Sequence, residues 1–193
     1  MEKTRVFISL NLPPSIKTEV ASLLRAAHPS YPDFIRFLDQ DMWHITISFL
    51  AYQTLEDIAR IADATKEAVS QFSAPRIAFD TITYGPRDRH GDTKRPRMIW
   101  LNCDHETSRA LSEFKKVLEN NLKDHGIHFR DDYKQFHGHV TLARFDDASI
   151  NDLPPLGLKC SHTFTAERAN VMESRLYRTG ARYESLSSFD FVK

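Results

Sequence analysis

Met42-Trp43-His44-Ile45-Thr46-Ile47-Ser48-Phe49-Leu50 sets the terms for the whole chain. Apolar Trp43, Ile45, Ile47 and Phe49 alternate with polar His44, Thr46 and Ser48. Side chains two apart share one face of a strand. The stretch therefore predicts a strand that packs the apolar set on a core and presents the polar set opposite. A second stretch, His137-Gly138-His139-Val140-Thr141-Leu142, repeats the plan. Val140 and Leu142 share one face, and His137, His139 and Thr141 the other. A His with a hydroxyl two residues on suits phosphate chemistry. The imidazole exchanges a proton near neutral pH and the hydroxyl hydrogen-bonds a phosphate oxygen.

With 9 His and 13 Thr in 193 residues, chance supplies roughly 0.6 His-x-Thr pairs. Requiring apolar residues at the second and fourth positions lowers this to about 0.1, yet the sequence holds two. A third pair, His105-Glu106-Thr107, lacks those apolar positions and sits where a helix starts, so it is a decoy.

Working outward, the surroundings of the two pairs echo each other. Strand (Arg5 to Leu10), helix, extended segment and His44-x-Thr46 are followed by strand (Arg97 to Leu101), helix, extended segment and His139-x-Thr141. Two copies of one unit pack about a pseudo-two-fold axis, which turns equivalent residues toward each other. Helical spacing is seen at Ile16, Val20, Leu23, Leu24 and Ala27, at Ile58, Ala62, Val69 and Phe72 behind a Thr54/Asp57 capping box, and at Leu111 to Leu122. Strands are expected at Ile77 to Tyr84 and Ile127 to Phe129, and a hairpin of Phe164 to Tyr177 with Tyr183 to Val192. Strands and helices without strict alternation predict an α+β fold with antiparallel sheet.

Composition narrows the function. Lys+Arg 26 against Asp+Glu 26 gives zero net charge, which excludes a general nucleic-acid coat but not a protein that grips one or two phosphates. At 41% hydrophobic residues the chain is not disordered. Two Cys, Cys103 and Cys160, make no disulfide framework. The start is too polar for a signal peptide, and no run reaches the ~18 apolar residues of a membrane span. A soluble, cytoplasmic protein without membrane contact is expected.

Five stretches carry a resemblance: Arg5-Val6-Phe7-Ile8-Ser9-Leu10; His44 to Leu50; Arg97-Met98-Ile99-Trp100-Leu101; Phe136 to Arg144; and Ser174-Arg175-Leu176 with Gly180 to Glu184. Together they resemble the two-histidine phosphoesterases, in the RNA 2',3'-cyclic phosphodiesterase (2'-5' RNA ligase) branch, over most of the chain. Two positions depart from the pattern. Ala51 stands after Phe49-Leu50 where Gly is usual, and Gly138 stands before His139 where Pro is usual.

The resemblance implies two pseudo-symmetric lobes flanking a central cleft, as one bilobal domain over residues 1–193 with motifs at 44–47 and 139–142. It implies a hydrolase without metal or other cofactor that opens a terminal 2',3'-cyclic phosphate to a 2'-phosphate. By the same analogy His44 is proton donor, His139 is acceptor, and Thr46 and Thr141 hold the non-bridging oxygens. Substrates would be RNA ends or small cyclic nucleotides, and the acting state a monomer. Two alternatives share the site: a 2'-5' RNA ligase joining tRNA halves, and a nucleotide-binding module without turnover.

Further candidates are weaker. Arg144 follows the second motif and either binds phosphate or braces its strand. Arg36, ahead of the first motif, either touches substrate or makes a surface ion pair. Arg87, Arg89, His90, Lys94 and Arg95 crowd one loop that could attract an RNA backbone, and Tyr84 or Tyr133 could stack a base. Cys103-x-His105 and Cys160-x-His162 contain zinc-type ligands but lack the usual Cys-x₂-Cys spacing.

Overall fold

The computed structural model describes residues 3–27, 31–86, 95–130, 136–146, 150–178 and 180–193. In chain order the elements are β1 (Thr4–Asn11), α1 (Pro14–Ala27), β2 (Arg36–Phe37), β3 (His44–Gln53), α2 (Leu55–Val69), β4 (Arg76–Gly85), β5 (Met98–Cys103), α3 (His105–Asp124), β6 (His139–Arg144), β7 (Leu158–Lys159), β8 (Thr163–Thr165), β9 (Arg168–Tyr177) and β10 (Gly180–Asp190). The strands form one antiparallel sheet in the order β10-β9-β1-β3-β6-β5-β4-β7, with β2 on β6 and β8 on β4. The fold is therefore α+β. None of the described helices is long and apolar enough to cross a membrane.

The two motif strands meet at the centre. Ile45 lies directly across from Val140, and each strand is flanked outward by its partner in the echo, β1 beside β3 and β5 beside β6. Ile45, Val140, Ile8, Leu10, Ile99 and Leu101 are fully buried on the helix-covered face. Burying such a side chain contributes about 1.5–3 kcal/mol. On that face α2 and α3 pack together, and Phe114 of α3 meets Phe72 and Phe191 edge-on at 5.4 and 5.1 Å. Although α3 follows β5 in the chain, it lies behind β3, where Glu119 accepts a hydrogen bond from Ser48 at 2.8 Å and pairs with Lys115.

Local signals hold where they have a mechanism. The Thr54/Asp57 capping box is formed, with Asp57 N–H donating to Thr54 Oγ1 at 3.1 Å and Thr54 N–H to Asp57 at 3.0 Å. Gly126, at φ 72°, follows α3 in the left-handed region that glycine enters without penalty. The decoy His105 opens α3, capped by Asp104, and Thr107 accepts from the Ala78 N–H.

Three expectations fail. Ile127 to Phe129 form no strand: Ile127 is buried, and the His128 carbonyl accepts from the Gln53 side chain rather than from a ladder. The stretch from Phe164 to Tyr177 splits into β8, paired with β4, and β9, paired with β1, because Ala166 and Glu167 turn the chain between them. The expected sidedness of the first motif also inverts halfway. Ser48 is buried, while Phe49 is 40% exposed.

The cause is a bulge. Ser9 pairs with Thr46 but Ile8 with Ser48, so Ile47 is an extra residue in β3. The same irregularity recurs in β6: Trp100 pairs with Thr141 but Ile99 with Ala143, leaving Leu142 extra. Each motif thus reads His-x-Thr followed by a bulged apolar residue, after which the face reverses. Phe49 in one strand and Arg144 in the other are thereby turned onto the polar face. A second bulge in β3 places Ala51 at φ 57°, the left-handed conformation that favours glycine.

Candidate active site

Continuing the Ile45–Val140 register by one residue sets His44 across from Thr141 and Thr46 across from His139. The four motif side chains therefore occupy one small area, two from each strand, on the face opposite the core. The neighbouring strands add Asn11 and Ser9 beside His44 and Thr46, and Trp100 and Asn102 beside Thr141 and His139. None of the four central strands contains an Asp or Glu, although the chain has 26. An anion placed here meets no carboxylate from β1, β3, β5 or β6.

Each histidine is fixed by the same device. His44 Nδ1 is 2.8 Å from the Met42 carbonyl, and His139 Nδ1 is 2.8 Å from the His137 carbonyl. A carbonyl only accepts, so Nδ1 carries the hydrogen in both rings and Nε2 is left to exchange a proton. His44 Nε2 lies 3.1 Å from Thr46 Oγ1. Ring contacts hold the planes: Phe7 at 4.8 Å and Tyr183 edge-on at 5.0 Å for His44, and a stack on Trp100 at 4.0 Å and 24° for His139. Gly85 permits that stack, because a Cβ there would overlap the Trp100 ring.

Electrostatics act on both rings in one direction. Burial lowers the His44 pKa to about 4; the Met42 hydrogen bond opposes this, and the charges of Arg144, His139 and Lys17 reinforce it. His139 is also lowered, first by burial and then by His137 and Arg144, against its own backbone hydrogen bond. At neutral pH this face therefore holds two neutral imidazoles near the charges of Arg144 and Lys17. An anion placed here would reverse the local field and favour a protonated ring.

Gly138 has a local reason to stand before His139. Its N–H donates to Ser108 Oγ at 3.2 Å, and a Cβ would come within 3.1 Å of Cys103. Proline has no N–H to give, and its ring would crowd that thiol.

The remaining candidates separate clearly. Arg144 is exposed on the cleft face and acts electrostatically on both histidines. Arg36 pairs with Arg144 in the ladder and makes a 3.6 Å ion pair with Asp146. Both partners of that ion pair are largely exposed, so it contributes little stability. Tyr84 is not a stacking surface: it is buried, donates to the Pro154 carbonyl at 2.8 Å and packs on Phe145. Tyr133 and the basic residues Arg87 to Lys94 lie outside the described residues. The Cys-x-His pairs lead elsewhere. Both thiols are buried, and His162 pairs with Glu19 at 2.7 Å.

Sequence reasoning missed Phe7, Trp100, Tyr183 and Lys17 as neighbours of the histidines, and it assigned Phe49 to the core. Trp100 carried a signal, since it occupies the strand equivalent to β1 in the echo. Phe49 carried none, because its orientation depends on the bulge at Ile47.

Known proteins bear on this arrangement. Among solved structures, the Thermus thermophilus protein TT0787 superposes with a TM-score of 0.77 at 17% identity, covering 97% of each chain. Escherichia coli LigT complexed with ATP gives 0.73 at 20% identity, and LigT complexed with 3'-AMP gives 0.70 at 21%, each covering all of both chains. At these identities the likeness is one of fold. No curated protein sequence matches the chain. Residues 12–175 match the profile of the 2'-5' RNA ligase superfamily, a span that includes both motifs. On that match, joined to the shared fold, the chain belongs to the 2'-5' RNA ligase superfamily of two-histidine phosphoesterases.

Proposed function

We propose that the protein is a metal-independent RNA 2',3'-cyclic phosphodiesterase. The observation that carries the reading is the pair of imidazoles, each with Nδ1–H held by a backbone carbonyl so that Nε2 is the proton-exchanging nitrogen, beside two threonine hydroxyls on a face whose central strands lack carboxylates. The nucleotides bound by the LigT structures are consistent with a nucleotide-like substrate. On this reading residues 1–193 work as a single bilobal unit.

The substrate phosphate sits between the strands, with Thr46 and Thr141 donating to its non-bridging oxygens. Its negative charge, with Arg144 balancing it, raises the histidine pKa values from their depressed resting state. His139 Nε2 accepts a proton from the attacking water as the water oxygen bonds to phosphorus. The bond from phosphorus to the 3' oxygen breaks, and protonated His44 Nε2 supplies that oxygen's proton. The products are a 2'-phosphate and a 3'-hydroxyl, and proton exchange with solvent resets the pair. The assignment of donor and acceptor follows the family resemblance.

The matched tautomers of the two rings favour a second reading on the same site. Either ring has the geometry of acid or base, so the same step with an RNA 5'-hydroxyl in place of water, again breaking the bond from phosphorus to the 3' oxygen, joins two RNA ends through a 2'-5' linkage. His44→Ala and His139→Ala are each expected to abolish turnover of a 2',3'-cyclic nucleotide while leaving the circular dichroism spectrum intact. General acid and base groups each contribute about 10²–10⁴-fold. Activity near wild type in either variant would refute the assignment.

A further inference from the structure

Past the histidines, the cleft face of β1 and β3 continues as an exposed strip that the reaction at the phosphate does not use. Phe7, which touches His44, lies directly across from Phe49, and Arg5 lies directly across from Tyr52. The Arg5 guanidinium sits over the Phe49 ring at 4.7 Å. Phe49 is 40% and Tyr52 58% exposed. From Asn11, opposite His44, to Arg5, opposite Tyr52, the strand runs about 20 Å at ~3.3 Å per residue. That length exceeds one nucleotide.

We propose that this strip, Phe49 with Arg5 and Tyr52, is a stacking subsite for the single-stranded nucleotides 5' of the reacting end, so that the protein distinguishes an RNA terminus from a free cyclic nucleotide. The proposal rests on the cyclic-phosphodiesterase reading for which end of the RNA lies at the histidines. Three observations choose RNA over a protein or a second copy as the occupant. The strip adjoins the phosphate site, since buried Phe7 touches His44 and lies across from Phe49. It pairs two exposed aromatic side chains with a guanidinium, the combination that binds successive bases and their backbone without sequence preference. Finally, neither β1 nor β3 contains a carboxylate to repel phosphates.

The test compares affinities rather than rates. Fluorescence anisotropy gives the dissociation constant of a 5'-fluorescein single-stranded pentaribonucleotide ending in a 3'-phosphate. Competition gives that of the 3'-mononucleotide with the same terminal base. The wild type is expected to prefer the pentamer by roughly 5- to 150-fold, the contribution of one stacked base. Tyr52→Ala should reduce that ratio toward one, Tyr52→Phe should preserve it, and Arg5→Ala should lower both the ratio and the salt dependence of pentamer binding. A wild-type ratio near one, a ratio unmoved by Tyr52→Ala, or a loss as large in Tyr52→Phe would overturn the proposal. Self-association of the protein that Tyr52→Ala abolishes would also overturn it, by giving the strip to a second copy. The length preference without any turnover of cyclic phosphates would sustain the subsite and refute the phosphodiesterase reading; turnover without the preference would do the reverse.

Discussion

Acidifying the free protein should expose the cost of holding His44 neutral. In the unfolded chain a histidine titrates near 6.5; in the fold, burial lowers His44 to about 4, with Arg144, His139 and Lys17 adding to the effect. Between those values the unfolded state binds a proton that the folded state refuses. The contribution of His44 is therefore fully present above pH 6.5 and is lost as pH falls toward 4. At about 1.4 kcal/mol per unit the loss amounts to about 3 kcal/mol over this window, a large part of a typical stability of about 5–15 kcal/mol. The assay is urea unfolding at half-unit steps from pH 7 to 4, for wild type and His44→Gln. Other titrating groups, His139 among them, are common to both and cancel in the difference. Wild type minus variant should fall by about 3 kcal/mol across the window. A difference flat with pH, or a His44 ring resonance titrating near 6.5, would refute the electrostatic account of the cleft.

Further expectations concern the backbone around the motifs. Ala51→Gly should raise the urea midpoint, because glycine relieves about 1 kcal/mol of left-handed strain at φ 57°; an unchanged or lower midpoint would contradict this. Gly85→Ala should push Trp100 off His139, lowering kcat more than it changes KM and altering the tryptophan emission, and an unaltered kcat would remove Trp100 from the positioning of His139. Gly138→Pro should destabilise by about 1–3 kcal/mol, since it deletes the N–H given to Ser108 and crowds Cys103; a variant as stable as wild type would show that contact to be idle.

What the residues disclosed, and what they hid, follows from how local each signal is. His44, Thr46, His139 and Thr141 were legible because strand period two and the internal echo are properties of short segments. The Thr54/Asp57 cap was legible for the same reason. The reversal of face at Ile47 and Leu142 was not, because a bulge exists only relative to a partner strand. Phe49 was therefore placed in the core, and Arg144 reached the cleft face by a route the alternation pattern does not contain. Tyr84 resembled a free aromatic until the Pro154 carbonyl and Phe145 enclosed it, which are contacts of long sequence separation. The two departures from the family pattern show both cases. Gly138 makes a hydrogen bond that proline would forbid, whereas Ala51 simply bears a strained conformation.

On the proposed reading two histidines, without a metal, open a cyclic phosphate toward the 2'-phosphate. The most direct test is turnover of an oligoribonucleotide ending in a 2',3'-cyclic phosphate in the presence of EDTA, with the product phosphate located by NMR or by enzymatic digestion. Undiminished turnover to a 2'-phosphate only is expected, with none from the His44→Ala or His139→Ala protein. Turnover lost on chelation, a 3'-phosphate product, or binding with no turnover at all would contradict the reading.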